Sequence, residues 1–124
     1  MRPPFRSLHR ILTGFYILCI ATLSLLPAEE AIALNIWDKA QHYVAYGLFM
    51  LLVFPTAKTH ATRLKLAAGV IGFSVLIELA QYFSPGRDTS AKDAIANSLG
   101  VVSGYLFGWL LLTLYRLGHN RAKP

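Results

Sequence analysis

Charge is scarce in this sequence. Of its 124 residues 15% are Asp, Glu, Lys or Arg, and only six are acidic, whereas a soluble domain carries about 25% charge. The single cysteine, Cys19, excludes an internal disulfide, a C-x-x-C pair and a zinc knuckle, and is read as a small packing residue. No Gly-rich phosphate loop occurs, which excludes a P-loop or Rossmann enzyme. No repeat or low-complexity tract is visible either. Apolar side chains are what is abundant: 55% of residues are hydrophobic and the mean hydropathy is +0.47. A helix that crosses a bilayer needs about 20 mainly apolar residues, so four would use about 80 and leave roughly 44 for loops and tails.

Four apolar stretches are present, at residues 8–26, 36–56, 64–83 and 91–115. They are expected to be helices, because unpaired backbone is too costly in hydrocarbon and four segments are too few to close a barrel. Breakers separate them: Pro27, Pro55, and the pair Pro85 and Gly86. The expected fold class is all-α, an integral membrane bundle of four transmembrane helices in a single domain over residues 1–124.

The net charge of +6 suggests nucleic acid in a soluble protein, but here the basic residues flank apolar segments, so no nucleic-acid partner is expected. Arg2, Arg6, Arg10, Lys58, Arg63, Lys65, Arg116, Arg121 and Lys123 fall on one side of the predicted topology. The positive-inside rule makes that side cytoplasmic and places both termini there, in a multi-pass protein of the cell membrane. The acids, Glu29, Glu30, Asp38, Glu78, Asp88 and Asp93, all map to the outer half. Aromatic belts are expected at Trp37, Tyr43, Tyr82 and Phe83 outside and at Trp109 and Tyr115 inside. The N-terminal run followed by Ala31-Ile32-Ala33 also has the form of a signal peptide, although it is longer than a typical signal core. His9, His60 and His119 are read as parts of solvated or headgroup-facing basic segments.

Polar residues recur on the predicted helices at helical spacing. Asp38, His42 and Tyr46 share one face of the second helix, with Lys39 on the next face over. A carboxylate one turn from a histidine can fix its tautomer and leave the other ring nitrogen as acid, base or ligand. The bland alternative has Asn35 capping the helix, Asp38 answering its dipole, and His42 and Tyr46 hydrogen-bonded inside the bundle. On the third helix Glu78 and Gln81 lie within the span, where an ionisable group is either a functional site or half of a buried pair, with Arg87 as its partner. The fourth helix opens Ser90-Ala91-Lys92-Asp93, a capping-box-like spacing, with Asn97 one turn on. Gly100, Gly104 and Gly108 then form a smooth strip for helix packing, inside the bundle or between two copies in a homodimer.

The topology brings these groups to one outer face. Together the residues resemble the VanZ-like family of small bacterial membrane proteins. The likeness rests on Ser24-Leu25-Leu26-Pro27, Asp38-Lys39, His42, Tyr46, Glu78, Gln81, Phe83, Pro85-Gly86-Arg87, Asp93, Asn97, Gly100 and Gly104. It covers residues 10–115 and supports keeping the first helix rather than cleaving it. The resemblance implies an association with reduced sensitivity to the glycopeptide antibiotic teicoplanin. The phosphotransbutyrylase activity attached to the family name is not carried over, because nothing here resembles a CoA or phosphate-transfer site.

Two functions follow as expectations. In one, the outer-face site binds and modifies a lipid-linked or amphiphilic envelope molecule, such as a cell-wall precursor or a glycopeptide. Lys39 and Arg87 would hold an anionic headgroup, His42, Glu78 or Asp93 would move a proton, and Asp38, Tyr46, Gln81 and Asn97 would line and orient the ligand. In the other, the same residues staple the helices of a non-enzymatic scaffold whose partners are membrane lipid and other envelope proteins. No cofactor is expected. A metal site from His42, Asp38 and Glu78 is a minor third option.

Overall fold

The computed structural model describes residues 3–27 and 38–121. Four helices follow one another: α1 (Pro3–Leu25), α2 (Asp38–Val53), α3 (His60–Gln81) and α4 (Ala91–Arg121), with a short 3-10 turn, Phe54–Thr56, closing α2. No strand occurs among the described residues. Asn35, Trp37, Glu29, Glu30 and the Ala31-Ile32-Ala33 segment lie outside them.

The helix boundaries have local causes. α1 begins ahead of its apolar run because proline is tolerated in a first helical turn, where the missing N–H has no partner to lose. α4 runs on to Arg121, and the cationic residues of its last turn suit the negative end of the helix dipole. α2 places Asp38 in its first turn, the favourable end for an acid, and gives way to the 3-10 turn that contains Pro55. Its 16 described residues rise about 24 Å. Among the described residues three helices are long and apolar enough to span a membrane: α1 over Phe5–Leu25, α3 and α4. Of the four spans expected from the sequence, the described part of α2 is the one not among them.

Cross-helix contacts fix the directions. His9 Nε2 donates to the Leu52 carbonyl at 2.8 Å and the Tyr16 hydroxyl donates to the Ala45 carbonyl at 2.7 Å, so α1 runs antiparallel to α2. Gly100 meets Tyr43, Gly104 meets Gly47 and Gly108 meets Phe54, so α2 and α4 are parallel. His60 Nδ1 lies 2.7 Å from the Tyr105 hydroxyl, and Glu78 bonds Ser90, so α3 runs against α4. The alternation gathers Asp38, Gln81 and Ala91 at one end, the polar end. The other, basic end holds Arg6, Arg10, Lys58, Arg63, Lys65, Arg116 and Arg121. His9 and His60 are tied into the fold and are not simply solvated, which corrects the sequence reading. His119 stacks on Tyr115 one turn before it.

The core forms where each helix turns one stripe inward. Tyr46, Phe49, Met50 and Val53 of α2 pack with Ile20, Phe54, Val70 and Val101, and Phe49 meets Tyr16 and Phe73 ring edge to ring face. α2 and α4 approach closest. A Cβ on Gly100 or Gly104 would overlap the carbonyl oxygens of Tyr43 and Gly47, and one on Gly108 would come within 2.8 Å of the Phe54 ring. The glycine strip is therefore covered by α2 of the same chain, not left open to a second copy. The outward faces carry Ile11, Phe15 and Leu76, each about two-thirds exposed, a surface suited to acyl chains rather than water.

Candidate polar site between α2 and α4

The polar end of the α2–α4 contact begins one turn from the close glycine packing, which is why side chains four to eight residues away can meet. Lys39 and Asp93 form an ion pair between the helices, and Lys39 Nζ also reaches Asp38 Oδ2 at 3.1 Å. His42 Nδ1 lies 3.0 Å from Asn97 Oδ1. A carboxamide oxygen can only accept, so with Asn97 Oδ1 as the partner Nδ1 is the donor, and Nε2 is the nitrogen left for other contacts. Nε2 stands 3.8 Å from both Asp38 Oδ1 and Asp93 Oδ2, too far for direct hydrogen bonds and close enough for a bridging water or ligand group. Asp38 is the exposed member at 60%, while the side chains of Lys39, His42 and Asp93 are 24%, 18% and 12% exposed. With a neutral imidazole, Asp38, Lys39 and Asp93 sum to one negative charge.

Asp38, His42 and Asp93 offer ligand atoms that all lie within 4.8 Å of one another. The donor set resembles that of a divalent-ion site. The Lys39 ammonium ion-pairs with both carboxylates and already supplies the positive charge such an ion would bring. Glu78, the third ligand in the sequence-derived option, is directed elsewhere.

That second group of polar residues ties α3 and the following loop to their neighbours. Glu78 Oε1 accepts from the Ser90 backbone N–H at 2.5 Å, at the start of α4. Gln81 Nε2 donates to the Ser24 carbonyl, the Ser84 hydroxyl to the Leu25 carbonyl, and Arg87 Nε to the Leu26 carbonyl. Three side chains thus occupy consecutive carbonyls at the open end of α1, groups that a helix leaves unpaired. Arg87 therefore serves α1 and does not pair with Glu78, contrary to the expectation. The capping box of α4 is half-formed for the same reason. Ser90 Oγ accepts from Asp93 N at 3.3 Å, but the reciprocal N–H of Ser90 belongs to Glu78, which frees Asp93 for Lys39.

Tyr46 lies deeper on the His42 face, 2% exposed, with its hydroxyl unpartnered among the described residues. Asn97, 1% exposed, is the most buried member of the site. Sequence reasoning missed Ser84 and Tyr16. Tyr16 had a signal, since it stands seven residues from His9 on one face of α1. Ser84 had none, because what it bonds is backbone.

Residues 3–113 match the sequence model of one protein family, described as VanZ/LLP1. No curated protein and no solved structure gives a match.

Proposed function

The chain belongs to the VanZ/LLP1 family, and from that membership and its polar end we propose that it is a multi-pass cell-membrane protein that binds an amphiphilic, lipid-linked envelope molecule. His42 is the group that exchanges a proton or hydrogen bond with the ligand's polar head. The observation carrying this reading is the His42 ring itself. Asn97 holds one nitrogen from behind, and the other faces two carboxylates, the exposed Asp38 and the more buried Asp93. An orienting partner on one nitrogen and a second nitrogen free of a direct hydrogen bond is the arrangement a general acid, base or ligand contact requires. Apolar outer faces let a lipid tail lie along the helices while its head reaches the site. Lys39 is neutralised by two carboxylates, so anionic headgroups are left to the terminal nitrogens of Arg87, whose Nε alone is bonded to Leu26.

The bonds of Glu78, Gln81 and Ser84 favour a second role for that half of the constellation, which holds the bundle together, while Arg87 ties the loop to α1 through Nε. The two roles separate by residue. His42→Ala and Asp38→Asn are expected to leave membrane abundance and thermal stability near normal while changing teicoplanin sensitivity or the profile of lipid-linked precursors. Glu78→Gln and Gln81→Leu are expected to lower abundance first. Parallel falls in abundance and phenotype for all four variants would reduce the site to a staple, and the search would move to protein partners.

A further inference from the structure

We propose that the basic end of the bundle carries a second binding site, built on Arg63, for a phosphate group. Arg63 is 9% exposed, buried where α3 leaves the turn after α2. Its guanidinium carbon sits 4.7 Å from the centre of the Phe54 ring, and that ring is held in turn by Tyr105 and the glycine surface at Gly108. Stacking covers a face of the planar cation. Its N–H donors lie in the plane and are not used by the stacking. Nε is buried with no hydrogen-bond partner, and no carboxylate pairs with Arg63 among the described residues.

Two features make this a missing counter-ion and not an ordinary surface arginine. A buried guanidinium nitrogen without a hydrogen-bond partner is costly, and no described carboxylate answers it. Residues 39–77 and 94–124 contain no Asp or Glu, and every described acid lies at the polar end. The position adds to the cost, because Arg63 stands in the first turns of α3, where the helix dipole disfavours positive charge and favours an anion. The Thr59 cap bonds the N–H groups of Thr62 and Arg63, leaving those of His60 and Ala61 for a ligand. A forked guanidinium and the open N–H groups at the start of the same helix both suit the oxygens of a phosphate. Leu64, the next residue, is half exposed on the apolar surface, so a phospholipid can bring its headgroup to Arg63 with its chains beside Leu64. Free inorganic phosphate presents the same oxygens.

The full chain in nanodiscs of phosphatidylcholine, with and without phosphatidylglycerol, separates these sources when compared with detergent-purified protein given inorganic phosphate or chloride at equal ionic strength. Retained lipid is counted by native mass spectrometry and the unfolding midpoint is recorded. Wild type is expected to retain phosphatidylglycerol and unfold at higher temperature with it. Arg63→Gln should weaken this binding at least about tenfold. Lys65→Gln removes the same charge two residues on, from another face of α3, and should leave binding nearly intact. A matching shift with inorganic phosphate identifies the ion itself as the ligand. Equal losses in the two variants, or no preference for either phosphate source, overturn the proposal. Should Arg63→Gln fail to fold, Arg63→Lys keeps the charge without the fork, and undiminished binding by that variant refutes the site. His42→Ala, about 18 Å along α2 from Phe54, should change none of these readings, so this site and the polar end fail or stand separately.

Discussion

Asp93 faces Lys39 because another residue has taken the N–H it would otherwise have capped. Spacing alone puts it three residues after Ser90, and a capping-box acid turns back to that backbone N–H. Glu78, arriving from α3, bonds it instead, and the freed carboxylate becomes the link between α4 and α2. The Lys39–Asp93 pair is partly screened, with side-chain exposures of 24% and 12%, so its worth lies between a surface bridge and a buried one. A double-mutant cycle of Lys39→Met and Asp93→Leu, read by thermal unfolding in detergent, is expected to give a coupling of about 1–3 kcal/mol. Coupling below about 0.5 kcal/mol would show that Lys39 is held mainly by Asp38. Glu78 illustrates what a sequence conceals. Its burial and its need for a partner are legible from its depth in an apolar helix, but the choice between Arg87 and the Ser90 N–H is made by the path of the loop.

At the level of the helices, the α2–α4 contact organises both ends of the molecule. Its basis is legible in sequence, since Gly100, Gly104 and Gly108 recur every four residues and the buried stripe of α4, from Asp93 through Asn97 to Gly108, follows the same period. Periodicity requires only sequence distance. It does not say which helix fills the strip, and the chain's own α2 does so. The three positions are expected to respond unequally to alanine. At Gly100 and Gly104 the new Cβ meets backbone carbonyls, which move only if the helices separate, so each should cost about 1–3 kcal/mol and disturb the site one turn away. At Gly108 the Cβ meets the Phe54 ring at Cγ, a buried side chain rather than backbone, so the overlap is smaller and the loss should be about 1 kcal/mol, less than at Gly100 or Gly104. Equal losses at all three would mean that α4 slides as a unit and that the contact is softer than its geometry indicates. The end of α2 was the least legible boundary, because Pro55 turns the helix into a 3-10 turn inside a run whose apolar composition reaches Phe54.

For the whole molecule the open quantity is the number of crossings, and α2 decides it. A hydrocarbon core is about 30 Å thick and the 16 described residues of α2 rise about 24 Å, so the described part does not reach across by itself. Packing argues the other way. From Tyr43 to Phe54, α2 lies directly against α4 at three successive glycines, and α4 is long and apolar enough to cross. A helix parallel to a spanning neighbour through that length shares its path through the bilayer, and a deficit of a few ångströms is met by local thinning and by lysines reaching toward the headgroups. Four crossings put both ends of the chain on one side; three put them on opposite sides. By the positive-inside rule, the basic residues at the start of α1, before α3 and at the end of α4 are expected on the cytoplasmic side. Fusions of a cytoplasm-active fluorescent protein and a periplasm-active phosphatase to each terminus in turn are expected to report both ends inside. Termini on opposite sides would mean that α2 enters the membrane without crossing it, and the polar site would then have to be reached from a different compartment than the one proposed.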